Sequence, residues 1–140
     1  MQTILTPALI LIAWTLVLLL GLYATRLPAM KAAGIDPRRS KSAADFAGLP
    51  MKVKQIADNY NHLHEQPTTF YALVFYSHLA GIGDSLQTTL AWSYVGLRVV
   101  HSLVQCTINY VPVRFLVFAT GSIVLIAMTA RAIYALGATF

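Results

Sequence analysis

The stretch ILTPALILIAWTLVLLLGLYA, from Ile4 to Ala24, contains no charged side chain, and the first charge in the chain is Arg26. A hydrocarbon core takes about 20 helical residues to cross, so this run is long enough to be a membrane span. A secretory signal has a basic start, a short apolar run and a small-residue cleavage site. Here no Lys or Arg precedes the run and the run is too long, so it reads as a retained first helix. Composition agrees. Apolar residues make up 57% of the 140 and charged residues 11%, against about 25% charged in an ordinary soluble domain. A domain this small has too much surface to hide such an apolar excess in its own core. Lipid is the remaining burial partner.

Beyond the first run, polar and apolar blocks alternate. Residues 26–58 form a polar connection punctuated by Gly34, Pro37, Gly48 and Pro50, residues that interrupt helices. Three further apolar blocks follow, so the expected helices are approximately 4–25, 60–82, 86–108 and 112–136. Pro112 suits a first helical turn, where its missing N–H is no loss. The fold expected is therefore an all-α integral membrane protein, a four-transmembrane-helix bundle in a single domain over residues 1–140.

Charge placement sets the partners. The net charge of +5 would suit nucleic acid, but seven of the ten Lys/Arg lie between Arg26 and Lys54, between two apolar blocks. That is a positive-inside signal and argues against nucleic acid. It puts the long first loop in the cytoplasm and, with four crossings, both termini on the opposite side. Cys106 is the single cysteine, so an intrachain disulfide is impossible and a cysteine zinc site implausible.

Charged groups inside membrane spans are costly and turn inward to find partners. On the third expected helix, Arg98, His101 and Gln105 recur at i, i+3 and i+7, which places them on one face. Glu65 opens the second helix; Asp58 and His62 share its face if the helix extends back that far. Arg114 opens the fourth. Topology puts these groups in one half of the membrane. A pocket built from them would suit a zwitterionic, peptide-like ligand: arginine for carboxylates, glutamate for an ammonium, and a nearby cation for a thiolate. The competing reading is structural, with Glu65 paired to Arg98 or Arg114 to hold helices together. His62 and His64 sit two apart on different faces, unlike the i, i+4 pairs that bind metal, so no metal site is expected.

These residues carry a resemblance to a known family. Arg98-Val-Val-His101, Asn109-Tyr110-Val111-Pro112-Val113-Arg114 and Glu65-Gln66-Pro67 leading into Phe70-Tyr71-Ala72-Leu73 resemble the small bacterial members of the MAPEG family, the membrane-associated proteins in eicosanoid and glutathione metabolism. The resemblance covers nearly the whole chain. It implies a homotrimer in a bacterial inner membrane, with glutathione as cosubstrate bound between subunits near the cytoplasmic side and a lipophilic small molecule as second substrate. It assigns Arg114 to the thiolate as the catalytic residue, Glu65 to the ligand's amino group, and ligand contacts to Arg26 and His101. Arg98 is a supporting polar residue. His62 and Gln105 stand where the family often has asparagine and tyrosine, and Asn61 where it often has arginine.

Two functions follow. One is a glutathione-dependent transferase or peroxidase acting on lipophilic electrophiles or lipid hydroperoxides. The other is a non-catalytic trimer that binds lipid or another ligand, its glutathione site degenerate through Asn61, His62 and Gln105. A transporter is disfavoured because paired repeats and broken helices are not evident in the sequence.

Overall fold

The structure is a computed structural model that describes residues 3–40 and 42–137. Among these the chain is all-helical: α1 (Leu5–Ala32), a 3-10 turn (Ala43–Phe46), α2 (Met51–His62), α3 (Gln66–Leu79), α4 (Ser85–Cys106) and α5 (Val111–Gly137).

Local chemistry explains most boundaries. Gly34 ends α1 at a positive φ of 67°, with the Ile35 N–H donating back to the Met30 carbonyl; a side chain would resist that conformation. Asp84 caps α4 by accepting from the Gln87 N–H at 2.7 Å. Asn109, at φ 49°, closes the other end of α4 by donating its N–H to the Val104 carbonyl at 2.8 Å. Inside the helices, the hydroxyls of Thr15, Thr89, Ser93, Thr120 and Thr129 donate to the carbonyl four residues earlier at 2.8–3.0 Å.

The segment 26–58 departs from the expected loop. α1 runs past Arg26 to Ala32, because one charge does not stop a helix; it does so with Pro28 inside it, which removes one backbone hydrogen bond and crowds the preceding turn. Met51–His62 is itself helical and turns Val53 inward. Met30, Leu49 and Val53 then form a small second core with Ala29, Ile35 and Phe46. The expected helix over 60–82 is also divided. It breaks at Leu63–Glu65, where Glu65 takes φ −91°, ψ −97° and Pro67 removes an N–H from the restarting helix.

The main core lies where α1, α3, α4 and α5 meet. Leu11, Phe70, Val74, Ala91, Tyr94 and Met128 are fully buried there, and the Phe70 and Tyr94 rings stack 4.5 Å apart. Many large apolar side chains also face outward. α1 and α5 are both long and apolar enough to cross a membrane, yet only 28% and 17% of their most apolar windows are buried within the protein. A soluble core helix would be mostly covered. Leu16, Leu20, Phe115, Ile126 and Ile133 project outward instead, as hydrocarbon surroundings permit.

Candidate functional site

The break between α2 and α3 shapes one end of the bundle. α2 delivers Asp58, Asn61 and His62; the break delivers Glu65; the ends of α4 and α5 deliver Gln105 and Arg114. These six line one polar cavity of about 260 Å³. A second, more apolar hollow of about 190 Å³ is lined by His62, His101, Val111, Arg114, Phe115 and Phe118. His62 and Arg114 belong to both, so the two adjoin. His62 and Glu65 therefore share a cavity although no continuous helix joins them.

Arg114 is held from one side. Its Nη1 donates to Asn109 Oδ1 at 2.6 Å, and the positive φ of Asn109 sets that acceptor at the turn before α5. Its Nε is buried with no hydrogen-bond partner in the protein. His101 is buried and meets Gln105 Oε1 through Nε2 at 3.2 Å, while its Nδ1 is buried and unpartnered. The His62 and His101 rings lie 6.1 Å apart. Polar atoms left unpaired in a protein interior cost free energy; both unpartnered nitrogens belong to residues that line the apolar hollow.

The electrostatics are open in the same sense. The ion pairs among the described residues are Arg39–Asp36 and Arg131–Asp84. Glu65 is exposed, and the helix-holding pairs it would make with Arg98 or Arg114 are not formed. Its carboxylate faces the same cavity as the Arg114 guanidinium. The cavity thus offers an acid and a cation that do not neutralise one another by contact.

Two expected residues stand apart. Arg98 lies behind the apolar hollow, between the Tyr94 and Phe118 rings at 5.2 Å each. Its Nε donates to Tyr94 Oη at 2.9 Å, and one terminal nitrogen is buried without a partner. Arg26 lines a third cavity with Phe46, Leu49, Lys54, Asp58 and Asn61, its guanidinium 4.4 Å above the Phe46 ring. Asp58 and Asn61 form the wall shared with the Arg114 cavity.

Several functional contacts escaped sequence reasoning. Asn109 as the partner of Arg114 had a faint signal, an Asn placed at a helix end where a left-handed residue fits. Tyr94 donating to Gln66, and Gln66 to Ser122 at 2.8 Å, had none, nor had buried Asn59 donating to Cys106 Sγ at 3.4 Å. At the other end of the bundle Arg131 binds Asp84 at 2.7 Å and buried Gln87 at 3.3 Å. Among the described residues, no three His, Cys, Asp or Glu side chains are grouped to hold a metal ion.

Compared with known proteins, residues 4–134 match a family model described as the MAPEG family. No curated protein matches the chain, and no solved structure does.

Proposed function

The chain belongs to the MAPEG family, and on that premise we propose that it is a membrane-bound enzyme that uses glutathione against lipophilic electrophiles or lipid hydroperoxides. The observation that carries this reading is the open pairing in the Arg114 cavity. Glu65 and Arg114 line one cavity without forming an ion pair. Glutathione matches that donor set: an ammonium for Glu65, carboxylates for the cationic and amide groups, and a thiol for Arg114.

In this reading Glu65 accepts hydrogen bonds from the ammonium, and His62 and Gln105 fix the peptide beside it. Arg114 is the catalytic residue: its guanidinium charge stabilises the sulfur as thiolate, the thiol proton leaving to water at the polar mouth. Glutathione supplies the nucleophile, and the adjoining hollow with Phe115 and Phe118 admits the apolar reactant. His101 borders that hollow, and Arg98 supports it from behind Phe118. Holding both reactants removes much of the entropic barrier to their encounter, and a fixed donor at the developing charge lowers it further.

Within its own protomer Arg26 lines the separate cavity; in the proposed trimer it would meet glutathione held by an adjacent subunit. The wider arrangement proposed is a homotrimer in a bacterial inner membrane. Four crossings, by α1, α4, α5 and the polypeptide from His62 through α3, which alone is about 21 Å long, leave the 26–58 segment in the cytoplasm and both termini opposite.

The test is glutathione binding to purified, detergent-solubilised protein, followed by conjugation of a model electrophile. Binding to the wild type but not to Arg114→Ala, with turnover, supports the reading. No binding at millimolar glutathione overturns it and leaves the non-catalytic trimer, with the glutathione site degenerate.

A further inference from the structure

The apolar hollow has one wall that is held at both ends. Phe118 forms that wall beside Phe115 and Val111. Its ring centre lies 5.2 Å from the Arg98 guanidinium and 6.3 Å from the His101 ring. From Arg98 a chain of hydrogen bonds returns to the Phe118 backbone. Arg98 Nε donates to Tyr94 Oη at 2.9 Å, and Tyr94 Oη donates to Gln66 Oε1 at 3.4 Å. Gln66 Nε2 donates to Ser122 Oγ at 2.8 Å, and Ser122 Oγ donates to the Phe118 carbonyl at 3.0 Å. Each donor points away from the guanidinium, so the dipoles align and polarise one another.

Packing alone does not account for this chain. Arg98 is buried and belongs to neither ion pair of the described residues; a buried cation without a carboxylate costs stability. Three helices nevertheless cooperate to hold it: α4 through Tyr94, α3 through Gln66 and α5 through Ser122. Tyr94 is fixed in turn by its stack on Phe70. Tyr94, Gln66 and Ser122 line neither the Arg114 cavity nor the hollow. Their common target is Phe118, gripped at its ring through Arg98 and at its carbonyl through Ser122. With that wall fixed, the hollow measures about 190 Å³. An apolar cavity of about 150 Å³ takes one benzene, so the space suits one ring and crowds two.

We propose that Tyr94, Gln66 and Ser122 are positioning residues that fix the Phe118 wall, and that this wall restricts the apolar reactant to single-ring size. The proposal rests on the glutathione reading and adds the size of the second substrate to it.

The experiment compares chlorodinitrobenzene with chlorodinitronaphthalene as substrates of the purified full-length protein with glutathione. In both, the glutathione sulfur bonds to the ring carbon and chloride leaves; they differ by one fused ring. Each kcat/KM is divided by the uncatalysed rate constant for the same compound. The wild type is expected to prefer the single ring about tenfold, the order of effect of overfilling a fixed apolar space. Tyr94→Phe, which keeps the ring stack and removes the hydroxyl, is expected to reduce that preference to about threefold or less, with glutathione affinity unchanged. Gln66→Met is expected to do the same and decides the matter if Tyr94→Phe fails to fold. Ser122→Thr, which keeps a hydroxyl, is expected to retain the preference. Asp84→Ala, which loosens the far end of the bundle, is also expected to retain it. An unchanged preference in Tyr94→Phe and Gln66→Met overturns the proposal. So does an equal loss in Asp84→Ala, which would mean general loosening, or a wild type that does not discriminate. Turnover in the wild type with any of these results leaves the glutathione reading standing; no turnover with either compound overturns both.

Discussion

The two ends of the bundle hold similar polar groups and use them in opposite ways. At the end with Gly81 and Asp84, the polar groups are joined. Arg131 binds Asp84 and Gln87, Asp84 caps α4, and Gln87 Nε2 donates to Ser77 and to the Met128 carbonyl. At the other end Glu65 and Arg114 line one cavity and His101 and Arg114 the adjoining hollow, with no ion pair between them and with buried nitrogens unpartnered. Paired groups hold helices together, whereas unpaired groups in a cavity wait for something else. The difference separates a structural cluster from a binding site more sharply than residue type does, since both ends have an arginine, a carboxylate and a glutamine.

Substitutions at each end should break or sharpen that contrast. The largest expected effect is Arg114→Ala, which should weaken glutathione binding about 30-fold, the scale of one charge-assisted hydrogen bond, as read by calorimetric titration in detergent. Its thermal stability should stay near wild type. Asp84→Ala should do the reverse: lose about 1–2 kcal/mol of stability, mainly through the helix cap, with little from the part-exposed ion pair. Glutathione affinity should be unchanged, and a loss of binding would erase the contrast.

Arg98→Met should shift stability in the other direction. It removes a buried cation that no carboxylate neutralises, and a gain of about 1 kcal/mol in thermal unfolding is expected. A clear loss would mean that the Tyr94 and Phe118 rings already compensate the charge. The smallest effect should come from Gly83→Ala. A Cβ there would lie 3.0 Å from Ile4 Cγ2, so the first residues of α1 must shift slightly, at a cost of about 0.5 kcal/mol within the range of mild overpacking.

What the sequence made legible was local. An uncharged run of 21 residues announced α1, and the i, i+3, i+7 spacing placed Arg98, His101 and Gln105 on one buried face. Pro112 marked the start of α5 within a residue. The rest depends on which helices become neighbours, and spacing along one helix does not carry that information. Arg131 meets Asp84 across 47 positions and Gln66 meets Ser122 across 56. The helices inside 26–58 were hidden for another reason. Their charge and their Gly and Pro residues look like a loop, and the few apolar positions that fold them, Leu49 and Val53 among them, find their partner in the far end of α1.

The back-bonded hydroxyls have a consequence for α4, which by composition is too polar for hydrocarbon. Its polar residues Gln87, Arg98, His101 and Gln105 all point inward. Its outward stripe is Leu86, Thr89, Ser93, Gly96, Val100 and Leu103, and the two hydroxyls in that stripe are bonded to their own helix. A donor closed on its own backbone makes no demand on the solvent. An acyl chain against that stripe would meet a greasy surface, the polarity of α4 being turned into the bundle.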